Sequence, residues 1–225
     1  MRISTKGVLF LAILAISACK KDDTENTQSP FVSFINASPT LGTYNMYLGG
    51  TKLNSAAMPF GGIIAYTQYA AGTYTANYTT ETGIEPLLGK SVTIAPDSIY
   101  SLFLIDKSPN LDALLVNDYI DASLTEKAYI RFINLSPDAP ALDLASTSGE
   151  MAVITSKAYK SISTFIPVAA KDYTFEVRAS ATGEVKTTMA NTTFTAGRYY
   201  TIFSRGYLSP GSADRRFSAQ IMTNY

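Results

Sequence analysis

The 225-residue sequence contains no histidine and no tryptophan, and its only cysteine is Cys19. Without histidine there is no Ser-His-Asp or Cys-His arrangement, no imidazole-ligated zinc and no imidazole general base. A single cysteine excludes an intrachain disulfide framework. Any reaction would have to be run by carboxylates, lysine, tyrosine or serine alone. Missing tryptophan also weakens a sugar-binding reading, because its indole is the usual large stacking platform. Charge is scarce, at 16% of residues, and evenly split between 18 basic and 18 acidic side chains. There is neither a basic stripe nor a Lys/Arg cluster interleaved with aromatics, so nucleic-acid binding has no footprint. Long apolar runs are absent as well. The one run near the start, residues 7–16, is too short for a spanning helix, which needs about 20 residues.

That run follows a basic start, Met1-Arg2-Ile3-Ser4-Thr5-Lys6, and ends in the small residues Ser17-Ala18. The order describes a secretory signal peptide over residues 1–18. Ile16-Ser17-Ala18-Cys19 resembles the bacterial lipobox, which implies that Cys19 is the lipid-attachment site and the first residue of the mature chain. Several acyl chains on one cysteine give firm membrane anchoring, where a single chain gives only marginal binding. Residues 19–30 are polar and charged, with nothing apolar to bury, and read as a disordered tether. Cys19-Lys20-Lys21-Asp22-Asp23 is similar to the N-termini of Bacteroidetes lipoproteins, in which early acidic residues accompany display on the outer face of the outer membrane. A plain solvated linker is the other reading of those charges. Loss of Arg2 and Lys6 with the leader leaves the mature chain at a net charge of −2.

What remains is dominated by aromatic and β-branched residues, with 15 Tyr and 11 Phe, a composition that favours strands. It also repeats. Phe34-Ile35-Asn36-Ala37-Ser38-Pro39 returns as Phe132-Ile133-Asn134-Leu135-Ser136-Pro137. The segment Tyr69–Ala76 returns near Val168–Phe175, and residues 91–103 return near 191–203. Three anchors in one order mean duplication. Each copy carries about seven short strand patterns broken by Gly, Pro and Asp/Ser turns, with no helical period. The expectation is an all-β chain of two tandem Ig-like or transthyretin-like β-sandwich modules, 31–120 and 128–225, joined by a polar linker over 121–127.

The anchors Phe132–Asp143, Val168–Tyr173 with Tyr69–Tyr74, and Ala196–Phe203 resemble a bacterial domain of unknown function, DUF4397. The resemblance spans essentially residues 31–225. It implies an exported or lipid-anchored β-sandwich, often in tandem, without an assigned activity.

Candidate site residues are few. Asp138 and Asp143 flank a turn in the second copy and become Thr40 and Asn45 in the first. As a pair they could bind Ca²⁺ or serve glycoside hydrolysis. Singly, Asp138 would satisfy turn N–H groups and Asp143 would be a strand-face charge. Asp97-Ser98-Ile99 resembles an O-glycosylation sequon of Bacteroidetes, with Ser98 as acceptor. Tyr44, Tyr47, Tyr66, Tyr69, Tyr74, Tyr78 and Tyr100 are either a sugar- or protein-docking surface or core and cross-strand pairs. The sequence therefore predicts an outer-membrane lipoprotein, displayed at the surface or held on the periplasmic side. It would be non-enzymatic, without metal or cofactor, and act as a binding or scaffold module for an envelope protein or glycan. A glycan-binding accessory protein is the alternative, and a carboxylate-only hydrolase the more remote one.

Overall fold

A computed structural model describes residues 28–120, 126–147, 149 and 154–224. The expected leader, Cys19 and most of the expected tether and linker lie outside the described residues. Those described are all strand, turn and loop, with no helix.

The first copy forms β1 (Phe31–Asn36), β2 (Tyr44–Leu48), β3 (Thr51–Lys52), β4 (Ile63–Gln68), β5 (Gly72–Thr80), β6 (Leu88–Ile94), β7 (Ile99–Ile105) and β8 (Asp112–Asn117). They make two four-stranded sheets, β4-β1-β7-β8 and β3-β2-β5-β6. Strands β1 and β7 run parallel, with Val32 opposite Tyr100, while the other pairs are antiparallel. Between the sheets lies a core of Val32, Phe34, Met46, Tyr78, Ile94, Leu102 and Leu104, each at most 1% exposed.

The second copy begins with β9 (Lys127–Asn134), β10 (Leu142–Ser146), β11 (Ile154–Lys157) and β12 (Ile166–Ala169). It continues with β13 (Asp172–Tyr173), β14 (Phe175–Ala179), β15 (Val185–Thr188), β16 (Thr192–Thr193), β17 (Tyr199–Arg205) and β18 (Ser218–Thr223). Sheet β12-β9-β17-β18 repeats the parallel pair, now β9 beside β17, and faces β11-β10-β14-β15 across a core containing Phe132, Phe175, Phe194 and Ile202. Pro167 sits in edge strand β12, where a missing N–H costs no ladder bond. The copies differ at one hairpin. β5 is continuous and pairs β6 from Gly72 to Tyr78. Its counterpart is split, with β13 pairing β16 and β14 pairing β15 with a register shift at Val177/Arg178.

Alternation along the parallel strands explains how the copies meet. On β1, Val32 and Phe34 fill the first core, so Ser33 and Ile35 point the other way. On β7, Leu102 and Leu104 do the same, leaving Ser101, Phe103 and Ile105 outward. The second copy presents Arg131, Ile133, Thr201 and Phe203 from β9 and β17. A third core closes between these faces, with Ile35, Phe103, Ile105, Ile133, Leu135 and Phe203 fully buried. The rings of Phe103 and Phe203 meet edge to face at 5.3 Å. Four sheet layers therefore stack around three cores.

One charged pair crosses this seam. Arg131 is 2% exposed and Asp118, just past β8, is fully buried. The Arg131 guanidinium forms a salt bridge with Asp118 through Nη2, donates from Nη1 to the Asn117 carbonyl at 3.0 Å and from Nε to Thr201 Oγ1 at 2.8 Å. Asp118 also accepts from Tyr66 Oη and Ser101 Oγ, both at 2.6 Å. Asn224 completes the network, accepting from Thr201 at 2.7 Å and donating to Tyr66 Oη at 2.9 Å. Burial, and then the adjacent Asp118 carboxylate, push the Tyr66 phenol well above its ordinary pKa, so it stays a donor.

Removing one partner of a buried pair leaves an unpaired charge in a low-dielectric site. Asp118→Ala is expected to cost about 3–5 kcal/mol in urea unfolding, whereas Asp118→Leu with Arg131→Met should cost far less. Wild type should unfold in one transition, because the third core belongs to both copies. Two separate transitions, with Asp118→Ala shifting neither, would contradict this account.

Candidate functional site

A groove of about 370 Å³ opens beside the ion pair, where the chain leaves β8. Its wall begins with the parallel register of β9 and β17, which sets Tyr129 next to Tyr199. The two rings stack with centroids 4.5 Å apart and 8° between planes. Phe165, ahead of β12, meets Tyr199 edge-on at 5.1 Å and lies over the Arg131 guanidinium at 4.6 Å. Arg131 thus forms the floor. Tyr119, 75% exposed, and Ile162, 38% exposed, add further apolar surface to the lining. Asn117, Ser163 and Thr164 supply the polar groups among the lining residues. Among the described lining residues Arg131 is the one that is charged, and Asp118 already neutralises it.

Duplication supplies an internal comparison. A second groove, of about 350 Å³, is lined by Ser33, Ile63, Ala65, Tyr66 and Thr223 together with Ile221 and Met222. By strand register these stand where the first groove has Arg131, Ile162, Thr164, Phe165 and Asn117. The positions of Tyr129 and Tyr199 are held in the first copy by Phe31 and Ile99, which do not line the second groove. Among the described residues, the stacked Tyr129–Tyr199 wall belongs to one groove of the pair.

The residues singled out in the sequence lie elsewhere. Ser98 sits in the turn before β7, its Oγ donating to the Pro96 carbonyl at 3.1 Å. Asp138 accepts from the backbone N–H groups of Leu208 and Ser209, both at 2.8 Å, and so holds the loop after β17. Asp143 accepts from the Ser156 N–H at 2.8 Å and from Ser180 Oγ. Among the described residues the two carboxylates share no partner. Among the described residues no three His, Cys, Asp or Glu side chains are grouped to hold a metal. Of the tyrosines, Tyr44, Tyr78 and Tyr100 are in the first core, Tyr69 and Tyr74 pack against it, and Tyr66 lies in the seam. They do not make one exposed face. The groove residues Tyr119, Tyr129, Phe165 and Tyr199 were not singled out, and the seam that assembles them is a tertiary feature.

Charged contacts also tie the copies together. Lys160 lies 3.2 Å from both Asp106 and Asp112, and Lys107 lies 2.6 Å from Asp214. Within the first copy, Lys90 lies 2.6 Å from Asp112. Burial raises the Asp112 pKa, but hydrogen bonds from Lys90, the Ala113 N–H and Lys160 outweigh it and hold the carboxyl below its ordinary value. By contrast, the Nε and Nη1 of Arg205 are buried without a hydrogen-bond partner among the described residues, its guanidinium lying 4.1 Å over the Phe60 ring. Burial, then the charge of Arg215, push its pKa down to about 10.

The architecture is that of an all-β protein of two stacked sandwiches with a largely uncharged aromatic groove. The sequence model of a domain of unknown function, DUF4397, matches residues 30–145. The chain belongs to that family. The match runs from the residue before β1 to the penultimate residue of β10. No curated protein matches the sequence. Among solved structures, one described as "Alpha-glucan recognition by family 41 carbohydrate-binding modules from streptococcal virulence factors" is similar at 11% identity, with a TM-score of 0.27. It covers 84% of this chain and 96% of its own. A likeness of that size carries no functional argument.

Two outcomes follow from the charges. A carboxyl whose folded pKa is lowered stabilises above its unfolded value and stops doing so as pH falls through the folded one. Stability to urea should therefore decline below pH 3.8, the ordinary value for Asp112, and Asp112→Asn should flatten that slope. Arg205→Met should leave stability unchanged or raise it by up to about 2 kcal/mol, since it removes a partly buried guanidinium that has no anion beside it among the described residues.

Proposed function

We propose that this chain is a non-enzymatic binding protein of the bacterial cell envelope, held at the outer membrane by lipid on Cys19, with the aromatic groove as its ligand site. The observation that carries this reading is the contrast between the two equivalent grooves. The stacked Tyr129 and Tyr199 line one groove, while Phe31 and Ile99 in the same positions do not line the other, and core packing has no need of the exposed Tyr119 that lines the groove with them. Such exposed apolar surface is the usual mark of a contact site. The one charged residue among its described lining is already paired, and those described residues include no carboxylate and no imidazole. That suits binding better than hydrolysis. The polar stretch from Lys20 to Pro30 would set the sandwiches off from the bilayer as a flexible spacer.

Two experiments test this. Cys19→Ala should move the protein from the outer-membrane fraction to the medium or periplasm. Protease treatment of intact cells should then separate surface display of the wild type, where it is digested, from the periplasmic side, where it is protected. Ligand capture should fall on Tyr119→Ala with no change in melting temperature. Turnover of any envelope polymer by the purified mature chain would overturn the non-enzymatic reading.

A further inference from the structure

We infer that the groove receives an extended, proline-bearing peptide segment of another envelope protein, in the polyproline II conformation; this rests on the groove being the ligand site. The choice follows from its chemistry. Asp118 cancels the one charge among the described lining residues, so neither an anionic nor a cationic ligand gains a counter-ion from them. Acidic peptides, phosphorylated groups and uronic acids lose their water there without compensation.

A neutral sugar is the next candidate, and polar supply decides against it. A pyranose carries hydroxyls around its ring, and each buried hydroxyl left unpaired costs about 1–3 kcal/mol. Planar polar side chains are what commonly satisfy them. Here Asn117 and Arg131 are the planar polar members of the lining. Arg131 already donates to Asp118, Asn117 and Thr201. The Ser163 hydroxyl is occupied too, accepting from the Phe132 N–H at 3.0 Å and donating to the Thr164 carbonyl at 2.8 Å.

A polyproline II segment asks for what the groove has. It has no internal hydrogen bonds, its prolines lack N–H donors, and its rings are apolar and rigid. Aromatic walls such as Phe165, Tyr199 and Tyr119 pack against proline rings, and a few donors at the rim meet the peptide carbonyls. Asn117 and Tyr119, both lining residues, carry such donors. Low chain entropy makes such a ligand bindable by a small site, and about 370 Å³ is near the small end of ligand pockets.

The test is fluorescence-anisotropy titration of the mature chain with a labelled proline decamer, beside an alanine-substituted decamer and a panel of neutral oligosaccharides. The proline decamer should bind saturably and at least about tenfold more tightly than the control. Tyr119→Ala and Ile162→Asp, both at exposed positions, should each weaken it about tenfold or more while the melting temperature stays at the wild-type value. Ile63→Asp, in the equivalent groove, should leave it unchanged. Binding of oligosaccharides but not of proline peptide, lost in the same two variants, would overturn the peptide inference and leave the groove as the ligand site. Indifference of every ligand to both variants would overturn the inference and the ligand-site reading together.

Discussion

The Asp118–Arg131 pair is the constraint on which the arrangement of the two sandwiches depends. Each sandwich has its own core, and those cores set only its internal layers. Apolar faces alone are tolerant of sliding, because burial is non-directional. The seam is directional where Arg131 spends its donors on Asp118, the Asn117 carbonyl and Thr201, since those acceptors have fixed positions. An interior ion pair contributes little net stability compared with apolar replacements. What it adds here is position: a slip of one residue would leave a guanidinium and a carboxylate buried without each other.

Duplication explains why the seam looks like a two-fold dimer interface. Ile35 answers to Ile133 and Phe103 to Phe203, so the same strands meet across it. At the polar positions the symmetry is broken. Ser33 stands opposite Arg131 in the alignment of the copies, Asp118 opposite Asn224, and Tyr66 opposite Phe165. A homodimer would have to place every charge twice. With both copies in one chain, a single cation and a single anion suffice, and the equivalent place can be neutral, as Ser33 and Asn224 are.

Much of this was legible before any coordinates. The repeat at Phe34 and Phe132, the strand alternation and the Gly/Pro punctuation lead directly to two all-β modules. The seam was readable in principle. Phe31–Asn36 and Ile99–Ile105 are apolar on both faces, and a strand with two apolar faces is covered on both. Arg131 stands out for the same reason, a charge inside a run that reads Tyr-Ile-Arg-Phe-Ile. The groove was not legible. Its walls come from residues 117–119, 129–131, 162–165 and 199, and nothing in local pattern says that these segments converge. The sequence favoured Asp138 and Asp143 because carboxylates are conspicuous, but their partners are backbone and hydroxyl groups of nearby loops.

Structure alone could account for part of the aromatic wall. Phe165 covers the Arg131 guanidinium, which strengthens a buried cation's surroundings, and Tyr129 and Tyr199 are register neighbours whose stacking stabilises the parallel pair. Those rings would be worth keeping in a protein that bound nothing. Tyr119 is different. It belongs to none of the three cores and leaves apolar surface in water beside that wall, whereas the exposure of Ile162 is matched by Ile63 in the equivalent groove. An aromatic at 75% exposure gains little from folding. The rings beside the ion pair thus provide a rigid wall, and the exposed Tyr119 turns that wall into a site.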